Sequence, residues 1–195
     1  MTASTQGYVE IVKLLTERGA NVDDITDLGM SSLHYASRDG RVGVVTVLLE
    51  HGAKVELPRK DGCTALILAS GEGKSKVVEV LLQNGAKVGA CNKFGLTALS
   101  MASFKGSADV VKILLDYCAP VDAKDISGVR SLHVASGGGH TATVKVLLEH
   151  GASVDVLDNL MGTPLMRASA GGHTCLLYTS PSPRDATLSR MPSSA

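Results

Sequence analysis

Apolar and polar residues along this chain repeat at a constant interval of 33 positions. The segment 130–155 returns, with substitutions, at 97–122, 64–89 and 31–56, and partial copies lie at both ends of this series. In each copy a leucine is followed three residues later by an alanine, a spacing that places both side chains on one face of a helix. These pairs are Leu33 and Ala36, Leu66 and Ala69, Leu99 and Ala102, Leu132 and Ala135, and Leu165 and Ala168.

A second helix is predicted further along each copy, where a valine precedes a leucine by three residues. These pairs are Val12 and Leu15, Val45 and Leu48, Val78 and Leu81, Val111 and Leu114, and Val144 and Leu147. Glycines recur between the two helices and after the second, where a helix end favours a left-handed residue. Because so short a helix pair cannot bury its own apolar stripe, we expect successive pairs to stack and share one elongated core.

The copies resemble the ankyrin-repeat family. The family signature TPLH-x-A is met in part by SLHYA at 32–36, SLHVA at 131–135 and TPLM at 163–166, and LL-x-x-GA ends recur with it. The resemblance covers residues 1–174. It implies an all-α solenoid of stacked helix-turn-helix units whose loops form β-turn or hairpin fingers. It also implies a non-catalytic module that binds another protein or peptide through a concave groove.

The repeat interval sets the unit boundaries. We expect a partial repeat at 1–24, complete repeats at 25–57, 58–90, 91–123 and 124–156, and a truncated repeat at 157–174. Because Met1 falls inside the first helix of its unit and no polar capping unit precedes it, the pattern predicts a fragment of a protein that extends further toward the N-terminus.

Residues 175–195 leave the repeat pattern. They back-translate without a gap into a string that resembles a sequencing adapter, so we interpret them as translated read-through forming a non-native disordered tail. The alternative is a natural Ser/Pro-rich disordered tail, which composition alone favours.

Three positions depart from the pattern. Arg130 stands where Ser or Thr caps the first helix of other units, so either Ser131 caps one residue later or one N–H lacks a partner, at about 0.5–2 kcal/mol. Cys118 replaces the glycine after the second helix, which costs about 1 kcal/mol in a left-handed conformation. Gly162 stands one residue closer to the helix than its counterparts, so we expect a reshaped turn at 159–162.

Composition excludes several classes of protein. The chain has 19 basic and 19 acidic residues, a balance that argues against nucleic acid binding. No apolar run approaches the roughly 20 residues of a membrane span and no signal peptide is visible, so we expect no membrane insertion and an intracellular location, in the cytoplasm or nucleus. Cys63, Cys91 and Cys118 lack C-x-x-C spacing, which favours reduced thiols over a disulfide or a zinc site.

The chain offers no convincing catalytic motif. The segment GEGKS at 71–75 ends like a phosphate loop, but Leu68 stands where that loop has its first glycine, and no strand precedes it. No pair of carboxylates stands in a setting that suggests acid–base chemistry. We therefore expect neither an enzyme, nor a cofactor, nor a metal.

Histidines recur at two positions of the repeat. His34 and His133 occupy the histidine of the signature, where the resemblance implies hydrogen bonds to the turn of a neighbouring unit. No serine, cysteine or carboxylate recurs at a spacing that would pair with them. His140 shares a second slot with His173, beside glycine, and is interpreted as part of the repeat pattern.

The resemblance also indicates which residues face a partner, because the turn tips and the exposed side of each first helix line the groove of the family. The corresponding positions are Asp27, Leu28, Met30, Arg38, Asp39, Lys60, Asp61, Cys63, Glu72, Lys93, Phe94, Leu96, Phe104, Lys105, Ile126, Ser127 and Val129.

Both phenylalanines of the chain, Phe94 and Phe104, fall in one unit at these positions. Exposed aromatic side chains are enriched among binding hot spots. With Lys93 and Lys105 beside them, we hypothesise an apolar centre with a basic rim that accepts a hydrophobic, partly acidic peptide or protein face. The alternative is that the two rings pack against neighbouring fingers and serve only the fold.

Three functions are compatible with these residues. The first is an interaction module within a longer protein, and the second is a regulatory segment of a kinase, a ubiquitin ligase or a membrane channel. The third is a structural tether between membrane proteins and the cytoskeleton, which would need a much longer array.

Overall fold

Eleven short helices follow one another in the computed structural model of the chain, which describes residues 2–172. In chain order they are α1 (Thr2–Gln6), α2 (Val9–Glu17), α3 (Ser32–Arg38), α4 (Val42–Glu50), α5 (Ala65–Gly71), α6 (Ser75–Gln83), α7 (Ala98–Lys105), α8 (Ala108–Asp116), α9 (Ser131–Gly137), α10 (Thr141–Glu149) and α11 (Pro164–Ala170). The end of the truncated repeat and the interpretation of residues 175–195 as read-through lie outside the described range.

The loops before α7 and α9 form fingers. Antiparallel bridges pair Cys91 with Thr97 and Lys124 with Arg130, on either side of the turns at Gly95 and Gly128. The described residues contain these isolated bridges but no strand. The predicted all-α solenoid with hairpin fingers is confirmed. Within the same range no helix has the length and apolarity needed to cross a membrane.

Like elements of successive units pack on one another. The first helices α1, α3, α5, α7, α9 and α11 contact each other in sequence, and so do the second helices α2, α4, α6, α8 and α10. The leucine slot is buried in the inner units, where Leu99 is 1% exposed, and the alanine slot beside it is buried throughout. One apolar cluster runs without a break from Val12 to Ala152. The units therefore share one elongated core, as predicted.

The outermost units bury less. Leu15 on α2 and Leu165 on α11 occupy the same slots as buried inner leucines, yet each is more than half exposed. Ile11 and Leu14 on α2 are similarly open to solvent. These helices have a neighbouring unit on one side only among the described residues, so their opposite faces remain uncovered.

Most first helices begin at a side-chain cap. The hydroxyl oxygens of Ser31, Thr64, Thr97 and Thr163 each accept a hydrogen bond from the backbone N–H three residues ahead. Helix α9 begins at Ser131 with Arg130 as its N-cap, and the guanidinium of Arg130 carries only donors. The alternative in which Ser131 caps is therefore wrong. No N-cap side chain accepts from the first turn of α9, the other outcome that the sequence left open.

Two residues other than glycine adopt a left-handed backbone within the described range, Cys118 (φ 62°) and Met161 (φ 61°). The conformation at Cys118 is the predicted one. Met161 occupies the position of Gly128 in the preceding finger, and its N–H donates to Asp158 at 3.0 Å just as that of Gly128 donates to Asp125. The expected reshaping of the turn at 159–162 is wrong, because Met161 adopts the left-handed conformation that glycine usually takes. For a residue with a side chain this conformation costs about 1–2 kcal/mol of stability.

Candidate functional site

The finger tips form one continuous row because neighbouring tips are joined by backbone hydrogen bonds. In each bond a backbone N–H of one tip donates to a backbone carbonyl of the preceding tip: Lys60 to Leu28 (3.4 Å), Lys93 to Asp61 (3.0 Å), Ile126 to Phe94 (3.1 Å) and Asn159 to Ser127 (3.0 Å). These bonds fix the spacing of the tips. Side chains on the row are therefore presented from a rigid edge, with Leu28, Phe94, Ile126 and Leu160 exposed along it.

A polar side chain inside each of the last three fingers holds its turn. The Oδ1 atom of Asn92 accepts from the N–H groups of Phe94 and Leu96 at 2.9 and 3.0 Å. Asp125 and Asp158 make the same pair of bonds two and four residues ahead in their own fingers. Asn and Asp are the residues best able to bond their own backbone in this way. Sequence reasoning missed them, although they share one position of the repeat.

Asp158 has a second role. Its carboxylate accepts a hydrogen bond from the Arg167 guanidinium on α11, and this contact, helped by the N–H groups of Gly162 and Leu160, lowers the pKa of Asp158 to about 2. In an earlier finger the guanidinium of Arg59 binds Asp61 and likewise holds the pKa of that carboxyl well below its usual range. Both acids are ionised at neutral pH, and both are paired with an arginine.

The predicted partner-facing residues divide by exposure into three groups. Exposed are Asp27, Leu28, Lys60, Glu72, Lys93, Phe94, Phe104, Lys105, Ile126 and Ser127, partly exposed are Arg38, Asp39, Asp61, Leu96 and Val129, and buried are Met30 and Cys63.

The inclusion of Met30 and Cys63 is wrong. They are 3% and 6% exposed because each lies just before a helix cap and points toward the next unit. The sulfur of Met30 lies 3.9 Å from Nη1 of Arg59, and that of Cys63 lies 3.4 Å from Nδ2 of Asn92. These side chains fill the joint between fingers and present nothing to a partner.

Some charged residues of the predicted surface are paired with one another. Nε of Arg38 lies 2.8 Å from Oδ1 of Asp39, and Nζ of Lys105 lies 3.9 Å from Oε2 of Glu72. Exposed pairs of this kind contribute about 0–1 kcal/mol to stability. Their main effect is to reduce the net charge that these four residues offer to a partner.

Large apolar side chains are exposed in the part of the surface formed by residues 91–130. Phe94 is 53% exposed on its finger tip and Phe104 is 70% exposed near the end of α7. The alternative that these rings pack against neighbouring fingers does not fit this exposure. Ile126, on the adjacent tip, is exposed beside them. Large apolar side chains are therefore exposed both on the finger tips and near the end of α7 within residues 91–130.

A cleft opens between Phe104 and α11, with a volume of about 500 Å³. Its lining residues are Phe104, Val129, His133, Val134, Gly137, Gly138, His140 and Arg167. Gly137 and Gly138 stand in the slots that Phe104 and Lys105 occupy one unit earlier, so neither position contributes a side chain to the cleft. We refer to this region as the glycine cleft. Comparing one repeat position at a time cannot reveal this cleft, because its lining residues come from three units.

The histidines join units to each other. Nδ1 of His133 accepts from the N–H of Arg130 at 3.3 Å, so Nε2 carries the proton and donates to the carbonyl of Gly162 in the next finger at 3.1 Å. This is the role that the resemblance implied. His140 contacts the preceding unit instead, through Nε2 and the Phe104 carbonyl at 3.0 Å, a contact that its place in the repeat did not reveal.

His34 is buried without a complete set of partners. Its Nδ1 accepts from the N–H of Ser31 at 3.1 Å, while Nε2 faces the region of the Cys63 and Leu57 carbonyls without reaching hydrogen-bond geometry to any described residue. The implied bond to a neighbouring turn is therefore formed by His133 but not by His34. Burial lowers the pKa of His34 below its usual value.

Acid is expected to destabilise the chain through His34. The unfolded histidine takes up a proton below about pH 6.5, whereas the folded one resists it, so stability falls by up to about 1.4 kcal/mol per pH unit below that point. Unfolding midpoints measured at pH 7.5 and 5.5 should therefore differ less in His34→Gln than in the wild type. Equal pH dependence in His34→Gln and wild type would contradict the assignment.

A family model described as Ankyrin repeats (3 copies) matches residues 1–90, 55–126 and 72–158. No curated protein matches the sequence. The matched segments contain the finger tips and first helices that carry Phe94 and Phe104. Within residues 2–172, no three His, Cys, Asp or Glu side chains are grouped so that they could hold a metal ion.

Proposed function

This chain belongs to the ankyrin-repeat family, and from that premise we propose that it binds a protein or peptide through the concave face of its finger tips and first helices. Ankyrin repeats are generally modules for protein–protein interaction and are typically non-catalytic. The proposal applies equally to a module acting alone and to one that regulates a larger enzyme or channel, since both would use the same face.

The observation that carries the proposal is the exposure of two aromatic rings in one unit. Phe94 projects from the finger row and Phe104 projects from α7. Each residue is more than half exposed to solvent. Large apolar side chains that stay exposed on a folded domain are candidates for an interaction site. Aromatic anchors of this kind often contribute 2 kcal/mol or more to binding.

The charges around the two rings favour a partner that is apolar in the centre and acidic at one side. Lys93, next to Phe94, takes part in no ion pair among residues 2–172, whereas the Nζ of Lys105 is shared with Glu72. The basic rim therefore rests mainly on Lys93. A carboxylate flanking the apolar segment of the partner would complement it.

Replacing Phe94 and Phe104 together by alanine tests this function. Peptides selected from a random phage-displayed library against the wild-type chain should be rich in apolar residues with an acidic flank. Their affinity for the double variant should fall at least 30-fold, the equivalent of one hot spot of about 2 kcal/mol. Binding is measured by fluorescence polarisation and helicity by circular dichroism.

The matched control is Tyr117→Ala, which removes an exposed aromatic ring from the same unit but from the end of α8, outside the concave face. This variant should bind the peptides as the wild type does. Unchanged affinity in the double variant would refute the proposal. Loss of helicity in that variant would instead assign the two rings to the fold.

A further inference from the structure

We propose that the glycine cleft receives one aromatic side chain of the bound partner, inserted between the ring of Phe104 and the guanidinium of Arg167. This inference rests on the proposed function and adds the chemical class of the residue that anchors the partner. The cleft lies on the same concave face, and Phe104 belongs to both.

The cleft is open because two adjacent slots of the repeat hold glycine. In earlier units the same slots hold Arg38 and Asp39, Gly71 and Glu72, or Phe104 and Lys105, so each of those units carries at least one side chain there. A Cβ added at Gly138 would lie 2.6 Å from Nε2 of His140, so a side chain there would collide with the imidazole. A Cβ at Gly137 would lie 3.7 Å from Cβ of Arg167, an ordinary contact distance. Gly137 is thus the position where a side chain can be added to fill the cleft.

The polar groups around the cleft already have partners. Arg167 donates to Asp158, His140 bonds the carbonyl of Phe104, and His133 bonds the carbonyl of Gly162. Because Asp158 balances the charge of Arg167, the cleft gives little preference to a carboxylate. The Arg167 side chain is still 42% exposed. It therefore offers a ligand chiefly the planar face of the guanidinium and the aliphatic stem.

An aromatic side chain matches what these walls offer. It can pack against the exposed ring of Phe104 in an offset or edge-to-face arrangement. It can also stack on the guanidinium of Arg167, which prefers aromatic faces. The same concave face already holds one such contact, since the guanidinium carbon of Arg38 lies 5.3 Å from the centre of the Tyr35 ring. An aliphatic side chain of similar size would fill the space without either interaction.

The test uses N-acetyl-L-tryptophan amide and N-acetyl-L-leucine amide as probes of the full chain, followed by NMR titration of its backbone amides. The tryptophan probe should shift Gly137, Gly138 and Val134 saturably, with an affinity about tenfold higher than that of the leucine probe. Gly137→Leu should abolish this binding, because the added side chain fills the cleft. Gly71→Leu, in the same slot two units earlier, is the control and should leave it unchanged.

A second variant tests the contribution of the Arg167 guanidinium without filling the cleft. Arg167→Met keeps an unbranched stem but removes the guanidinium, so the preference for tryptophan over leucine should shrink to about threefold. Equal affinity of the two probes for the wild type would overturn the proposal, as would undiminished tryptophan binding by Gly137→Leu. Folding of every variant is checked by its unfolding midpoint.

Failure of this inference can be told apart from failure of the proposed function. If library-selected peptides lose affinity for Phe94→Ala/Phe104→Ala but bind Gly137→Leu as they bind the wild type, the concave face is the binding site and the aromatic anchor is refuted. If the peptides bind all three chains equally, the proposed function itself is refuted.

Discussion

Replacing Leu99 by alanine is expected to lower the free energy of unfolding by about 2–5 kcal/mol. Leu99 is 1% exposed on α7 and lies in the core that α7 shares with α5 and α9. The truncation removes apolar contacts from both neighbours and leaves a cavity that the short helices can only partly close. Urea denaturation followed by circular dichroism measures the loss.

The control for this prediction is Leu165→Ala. Leu165 occupies the same slot of the repeat on α11 but is 59% exposed, so its loss should cost about 0.5 kcal/mol or less. Sequence spacing alone would assign both leucines the same role. Equal destabilisation by the two substitutions would therefore contradict the packing described for the inner and outer units.

Replacing Gly95 by alanine is expected to lower the free energy of unfolding by about 2–4 kcal/mol. Gly95 has a φ of +76°, and an added Cβ would lie 2.8 Å from Cα of Asp125 and 3.1 Å from the backbone nitrogen of Ile126. Backbone on the next finger cannot give way as a flexible side chain would. The hydrogen bond from Ile126 to Phe94 would have to lengthen, which disrupts the row of tips.

Gly85→Ala provides a matched comparison for Gly95→Ala. Gly85 is also left-handed (φ +85°), but nothing lies within 4 Å of the added Cβ, so only the backbone cost of about 1 kcal/mol applies. The difference between the two substitutions isolates the contact between fingers. Denaturation midpoints provide the comparison, and faster amide exchange at Ile126 should accompany the larger loss. Similar costs at both glycines would show that the fingers are not in close contact.

The fold was predictable because its determinants recur. Leu33, Leu66, Leu99 and Leu132 are equivalent in sequence and equally buried in the structure, so one observation of spacing accounts for all four. The repeat position also accounts for the left-handed backbone of Cys118, which stands where other units have glycine. A position in a repeat predicts backbone conformation well, because the hydrogen bonds around it are repeated too.

Expectations fail where one residue is interpreted without its neighbours in the fold. The turn at Met161 keeps its form because Asp158 bonds two backbone N–H groups of the finger, an effect stronger than the preference for glycine. Met30 and Cys63 were assigned to the surface by slot, but their side chains point into the joint between fingers. Direction of a side chain at a helix start is set by packing rather than by spacing.

The candidate site was only partly predictable. The sequence indicates Phe94 and Phe104 because both stand at partner-facing positions of one unit, and the structure leaves both exposed to solvent. The glycine cleft could not be predicted, since it depends on two glycines, one in α9 and one in the turn just after it, and on residues of α7 and α11 on either side of α9. The pairing of Lys105 with Glu72 also depends on the distance between two units, which the repeat pattern does not specify.

The central claim is that successive units bury one another in a single shared core, which leaves the concave face for a partner. Residue-resolved hydrogen exchange of the wild-type chain tests it most directly. Amides of α5, α6, α7 and α8, which have covered faces on both sides, should exchange most slowly, and those of α2 and α11 should exchange markedly faster. Protection in α2 and α11 equal to that in α6 and α7 would contradict the account.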